Sequence, residues 1–322
     1  MQRGVTRRMV LRYVAGAFAL AAGGRWSAFA AEPSGDSNFR AIYSRPNLRQ
    51  RFYLFLVNVF HLYPEDRLHE LITELSTRYT TDREIYQALA VHLPQVTPHL
   101  STVTYALPAL RKQKREMAAE TADLLGEKRA IEGYVEIGTT GRYFNALRRH
   151  LGFAGPRYVV NDEQPIYSAE DIFERGQIRK IGAYVPMGNY EAFDRGQISP
   201  TSIGLCTNYI GFHHAPADKL DGFVVAIARM LRPGGTLVVR DHDVDGPEMN
   251  FMVGLAHDVF NAGVGIPWDR NEGQVRNFRS IRDLTSYLEA RGFRRQQTVR
   301  FQDGDPTRNG LMAFQRTGVR VA

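Results

Sequence analysis

The sequence predicts an α/β protein whose mostly parallel, seven-stranded sheet ends in an antiparallel hairpin and comes after an all-helical region. Three observations lead there. From Ser37 to about Gly126, apolar residues recur at three- and four-residue intervals, the spacing of a helix face. After Gly133, short β-branched runs alternate with helical stretches, which implies right-handed crossovers and a parallel sheet covered on both faces. The chain then closes on two strand-like runs around a turn rich in glycine, proline and asparagine, a hairpin signal. With 322 residues, 43% hydrophobic and 23% charged, the chain can bury one or two ordinary cores, so disorder and small stapled scaffolds are excluded.

Residues 1–30 read as an address. Arg7 and Arg8 precede the apolar run Tyr13 to Ala22, and Ala28-Phe29-Ala30 supply small residues for cleavage. The order resembles a twin-arginine export signal, which implies a periplasmic protein carried by the twin-arginine export machinery. An over-long start ending in a basic tail would instead leave the protein cytoplasmic. The apolar run is about half of the roughly 20 residues that span a bilayer, so no permanent membrane span is expected.

Residues 31–126 form the expected helical cap region. Phe52, Phe55, Leu56, Val59, Phe60 and Leu62 share one periodic face, Pro64-Glu65-Asp66 restarts a helix carrying Leu68, Leu71, Ile72 and Leu75, and Pro94, Pro98 and Pro108 punctuate the stretch beyond that helix. Ala109 to Leu125 is charged on one side, as suits a helix lying across the next unit. His61, His69, His92 and His99 are dispersed and read as structural.

Residues 127–322 form the second unit. Five strands are expected at 134–138, 158–162, 183–187, 203–207 and 236–240, with helices at 145–151, 169–175 and 217–231 between them. The runs 295–301 and 311–316 give the closing hairpin, bringing the strands to seven. Pro247 to Ala262 reads as a helix able to roof a pocket, with Trp268 and Tyr209 as candidate walls.

The formal charge of +7 suggests a nucleic-acid binder, but the first thirty residues hold five arginines and no acid, leaving +2 for the rest. The remaining basic residues are scattered among acids, without a stripe to track a phosphate backbone, so no nucleic-acid partner is expected. Cys206 is the single cysteine, which rules out an intramolecular disulfide and a cysteine-based zinc site.

The chemistry-bearing residues gather where strands end. Glu136-Ile137-Gly138-Thr139-Thr140-Gly141-Arg142 puts a glycine turn at the carboxyl edge of the sheet, where open α/β sheets bind ligands. Asp162 ends the second strand, placed to accept hydrogen bonds from ribose hydroxyls. Cys206 to His214, the helix after it and the turn Leu231-Arg232-Pro233-Gly234-Gly235 complete an ordered set. Over residues 130–316 this set resembles the class I S-adenosylmethionine-dependent methyltransferases, in particular small-molecule enzymes with a type 11-like domain. The resemblance implies a Rossmann-like fold, S-adenosylmethionine as cofactor and a small-molecule substrate. It implies that Glu136 and Gly138 frame the methionine end, that Asp162 binds the ribose and that Gly188 and Asn189 lie near the adenine. Thr140, Gly141 and Thr207 complete the expected cofactor-binding residues.

Strands four and five should bring His213, His214, Asp241, His242 and Asp243 to the same edge. Methyl transfer is an in-line displacement at a cationic sulfur, so the protein positions the acceptor and takes up its proton, work that a neutral imidazole or a carboxylate can do near pH 7. These five are the expected catalytic residues. Strand alternation puts Asp241 and Asp243 on one side and His242 on the other. Their oxygen and imidazole atoms also suit a divalent ion, but the sequence assigns no metal. Arg276, Asn277 and Arg279 could meet an acidic substrate.

Thr140 and Arg142 stand where the family commonly carries glycines, which opens the alternative of an exported, non-catalytic binding protein with the same fold. A nicotinamide-dependent dehydrogenase is disfavoured, since the three-glycine fingerprint is absent and a hairpin ends the sheet. Oligomeric state is not legible in the sequence.

Overall fold

The computed structural model describes residues 37–98, 102–126 and 130–318. The address expected for residues 1–30 lies outside them. Among the described residues, no helix is long and apolar enough to cross a membrane.

The helical region comprises α1 (Asn38–Tyr43), α2 (Pro46–Phe55) running into a π turn at Leu56–Phe60, α3 (Glu65–Arg78), α4 (Asp82–Val96) and α5 (Leu107–Leu125). Local chemistry sets the boundaries. The Ser37 hydroxyl caps α1 by accepting from the Arg40 amide. Thr81 and Glu84 form a reciprocal capping box at α4, which satisfies two amides that a helix start leaves unpaired. Pro108 sits in the first turn of α5, where its missing N–H costs nothing. Pro94, expected as punctuation, lies inside α4 two residues before its end.

The second unit carries seven strands: β1 (Ala130–Ile137), β2 (Gly152–Asn161), β3 (Ala183–Pro186), β4 (Ile203–Asn208), β5 (Leu231–His242), β6 (Phe293–Phe301) and β7 (Asn309–Arg316). Their order in the sheet is β3-β2-β1-β4-β5-β7-β6. The first five run parallel, while β7 pairs antiparallel with both β5 and β6. This is the mostly parallel, Rossmann-like sheet with an antiparallel end that the sequence predicts. The Arg232-Pro233-Gly234-Gly235 turn lies within β5 as an irregularity, where the β4 register shifts between Ile203 and Leu205.

Alternation along the strands sends side chains into two cores. Val135, Ile137, Cys206, Leu237 and Val239 join α8 (Ala217–Met230) and α11 (Ile281–Glu289) on one face. Tyr134, Val159, Leu205 and Val238 join α5 and α6 (Phe144–Leu147) on the other. A third core lies among the helices and takes in Met252, Leu255, Val259 and Phe260 of α9 (Pro247–Gly263). The helix expected to roof a pocket therefore packs its apolar face into the helical region. That anchors its remaining polar residues over the ends of β4 and β5.

Candidate functional site

Register decides what meets at the carboxyl edge. Ile137 pairs with Val160 and with Asn208, so the turn after β1, the end of β2 and the end of β4 lie side by side. Asn208 pairs with Val239, and Asp241 and His242 continue β5 beyond it.

In the glycine turn, Glu136 is fully buried and its carboxylate accepts from the Tyr134 hydroxyl at 2.9 Å, the Tyr143 amide at 3.1 Å, the Phe144 amide at 3.2 Å and the Thr139 hydroxyl. Burial pushes its carboxyl up, while these donors favour the charged form. Glu136 thus secures the turn and the start of α6. Gly138, at φ +77°, turns its missing side chain toward Ile210, and Gly141, at φ +99°, toward Ile181. The Arg142 side chain does not fill the turn: its guanidinium meets Glu174 at 3.0 Å in a buried ion pair. Thr207 is also spent internally, its hydroxyl 3.0 Å from that of Tyr134.

Asp162 is half-buried, and its Oδ1 accepts from the Asn189 amide at 2.9 Å. Burial pushes its carboxyl up, and that amide opposes the rise. Gly188 and Asn189 both adopt positive φ, which turns the chain back toward Asp162. Around this edge, Thr140 Oγ1, Asn161 Oδ1, Tyr190 Oη and Asn208 Oδ1 are buried and make no hydrogen bond. Buried polar atoms are nearly always paired, and these four lie at or just beyond the ends of β1 to β4. Asn161, Tyr190 and Asn208 were not singled out from the sequence. All three sit at or just beyond strand ends, where such groups would be sought.

The imidazoles form a second assembly. The His213 Nδ1–Asp241 Oδ1 distance is 2.6 Å, and Asp241 also accepts from the Phe212 and His242 amides. Burial alone would raise the Asp241 carboxyl, but His213 and these donors hold it below the usual range. His214 Nδ1 meets the Val275 carbonyl at 3.2 Å, and His242 Nδ1 meets that of Thr307 at 3.1 Å. His257, from the middle of α9, joins them: its Nδ1 meets the Val253 carbonyl at 2.9 Å, and its Nε2 lies 3.3 Å from Nε2 of His213. Burial first, then the neighbouring His213, pushes His242 down to about 3 and His214 and His257 well below the normal value. The rings lie 4.1–5.6 Å apart, with Phe278 against three of them.

Several expected neighbours are elsewhere. Asp243 faces away from the imidazoles, accepting from the Ile281 amide at 2.9 Å and from Arg308 at 2.6 Å. β5 ends at His242, so strand alternation does not fix the direction of Asp243, while the His242 ring lies beside those of His213 and His257. Trp268 stacks edge-on against Tyr86 in the helical core. Tyr209 turns to α5, its hydroxyl 2.8 Å from that of Thr121. Arg276 pairs with the buried Asp258 at 2.8 Å, and Asn277 donates to the Ala215 carbonyl. His257 was missed although a signal exists: His257-Asp258 is a polar pair that interrupts the apolar run Phe251 to Phe260 of α9.

No family model and no curated protein matches the sequence. Solved structures do match. The chain is similar to the 1,6-didemethyltoxoflavin-N1-methyltransferase of Burkholderia thailandensis, solved with 1,6-didemethyltoxoflavin and S-adenosylhomocysteine, at 14% identity and TM-score 0.45, covering 63% of this chain and 78% of that one. It is similar to a possible exported protein from Bordetella parapertussis at 15% identity and TM-score 0.43, over 88% and 96% of the two chains. It is also similar to the N-methyltransferase NodS of Bradyrhizobium japonicum at 12% identity and TM-score 0.38, over 65% and 97%. The fold itself is established by the strand order and pairing described above.

Proposed function

We propose that this protein binds S-adenosylmethionine at the carboxyl ends of β1 to β4 and transfers its methyl group to a small molecule presented beside the imidazoles. The observation that carries the reading is the set of buried, unpaired polar atoms at Thr140, Asn161, Tyr190 and Asn208, at or just beyond the ends of β1 to β4, with the half-buried Asp162 following β2. These residues fit a nucleoside. Asp162 has its Oδ1 committed to Asn189 and its second oxygen available to ribose hydroxyls, while Asn161 and Thr140 offer hydrogen bonds alongside. Bound S-adenosylmethionine supplies an electrophilic methyl group on a cationic sulfur. The chain's own work is to hold the nucleoside, orient the acceptor and keep water out, which the buried surroundings favour.

Calorimetry with S-adenosylhomocysteine tests the reading. Saturable binding to the native protein is expected, weakened about tenfold or more in Asp162→Ala through loss of charge-assisted hydrogen bonds. Asp162→Asn keeps an acceptor for the Asn189 amide and separates ribose recognition from loop integrity. A second reading, ligand binding without turnover, draws on the packing of Gly138 against Ile210 and Gly141 against Ile181, which turns both glycines toward protein. Absence of heat with either S-adenosylmethionine or S-adenosylhomocysteine would exclude the first reading and leave the second.

A further inference from the structure

We propose that His213, His214 and His257 form a binding site for a late first-row divalent metal ion, zinc in the first instance, held through their Nε2 atoms. One ring nitrogen from each lies within 4.8 Å of the others, and all three residues are buried. The Nε2 atoms of His213 and His257 are 3.3 Å apart. Two ligand nitrogens at ~2.0–2.1 Å from a tetrahedral zinc ion stand about 3.3–3.4 Å from each other, so this pair is already at coordination spacing.

The other face of each ring says the same. His213 Nδ1 is held by Asp241, His214 Nδ1 by the Val275 carbonyl and His257 Nδ1 by the Val253 carbonyl. Backbone carbonyls accept but cannot donate, so the Nδ1 atoms of His214 and His257 carry the protons and their Nε2 atoms present lone pairs. Outer acceptors of this kind orient metal-ligating histidines and raise their basicity. His214 Nε2 is moreover a buried ring nitrogen with no hydrogen-bond partner. Asp241, held against His213, supplies a negative charge that compensates a bound cation. The cysteine-free donor set suits zinc, copper, nickel or iron rather than magnesium or calcium.

Three protein ligands leave a coordination position open, the pattern of catalytic rather than structural zinc. His242, whose ring centre lies 5.6 Å from that of His213 and 5.5 Å from that of His257, flanks the site. The inference rests on imidazole geometry alone and stands whether or not a nucleoside binds.

The test uses the full chain purified without a histidine tag, stripped with chelator and titrated with zinc and with cobalt(II). One equivalent of tight binding is expected, with the visible absorption of tetrahedral cobalt. His257→Ala and His214→Gln should each weaken binding at least 100-fold, and Asp241→Asn, which loosens an outer partner, by 10- to 100-fold. Circular dichroism checks that the variants fold, and the native titration needs no variant. No stoichiometric zinc or cobalt binding to the native chain, or binding unchanged in folded His257→Ala, overturns the proposal. Calorimetry with S-adenosylhomocysteine in parallel separates failure of this site from failure of the nucleoside reading.

Discussion

Arg142 stands in the glycine turn, where a bulky side chain could either obstruct a ligand or support the fold. The geometry assigns it to the fold. Nε and Nη2 approach the same Glu174 oxygen at 3.2 and 3.0 Å, with Arg142 fully buried and Glu174 at 6% exposure. Removing one member of such a pair strands a buried charge and costs about 3–5 kcal/mol, whereas replacing both with apolar residues of similar volume is near neutral. Lys114, which donates to the Phe173 and Glu174 carbonyls, softens the loss somewhat. Burial first and then Arg142 push its amine down to about 8, so deleting Arg142 favours a charged lysine close to Glu174. Urea denaturation of Arg142→Met, Glu174→Met and the double variant should show two large single losses and a double variant close to native, a coupling well above the ~0.5 kcal/mol expected of independent sites. If Arg142→Met proves as stable as the native chain and binds S-adenosylhomocysteine more tightly, the residue is an obstruction and this assignment fails.

Acid should destabilise the metal-free protein through its histidines. The folded chain holds His242 near 3, and His214 and His257 well below normal, first because of burial, while the unfolded chain takes up these protons around pH 6.5. Between those limits the unfolded state binds more protons, so stability falls as pH is lowered through 6.5 toward 3, by about 1.4 kcal/mol per pH unit for each histidine kept neutral. A urea midpoint unchanged from pH 7 to pH 5 would contradict this. Asp243→Ala should cost about 1 kcal/mol, since its carboxylate receives the first amide of α11 and the Arg308 guanidinium; an unchanged melting temperature together with lost methyl transfer would instead make it catalytic. Gly138→Ala should destabilise by about 1–3 kcal/mol, because its positive φ strains any side chain and the new methyl meets Ile210. Adding Ile210→Ala should recover only the steric part, and complete recovery in thermal melts would dismiss the backbone contribution.

The sheet was legible because its signals are local and repeated. β-branched runs, glycine turns and the final hairpin each act over a few residues, and parallel connection comes from their alternation. The helical region was legible in kind, but its partner was not. The apolar stripe of α9 matches a sheet roof or a helical core equally well, and only tertiary packing delivers Met252, Leu255 and Phe260 to the latter. The site divides along the same line. Asp162, His213, His214 and Asp241 lie at or after strand ends and could be placed by topology. Asp243 could not, because strand pairing stops one residue earlier and α11 captures its carboxylate.

His257 shows the limit most clearly. It reaches the other imidazoles because α9 is fastened at its apolar face to helices far upstream in the chain. The Asn38 side chain donates to Asp258 at 2.9 Å, and the Tyr63 hydroxyl donates to the Gly263 carbonyl at 2.6 Å. The helical region thereby sets the depth at which His257 enters the cluster, and Arg276 pairs with the other oxygen of the same Asp258 carboxylate. The ligand set is thus assembled jointly, since His213 and His214 follow β4 while packing against the upstream helices positions His257. Loosening the joint without touching an imidazole should therefore weaken metal binding. Asn38→Ala and Tyr63→Phe each remove one tie, about 1 kcal/mol apiece. If the cluster is assembled across the joint, the double variant binds cobalt(II) less tightly than native protein of equal helix content, and an affinity equal to native would show that β4, β5 and α9 hold the site unaided.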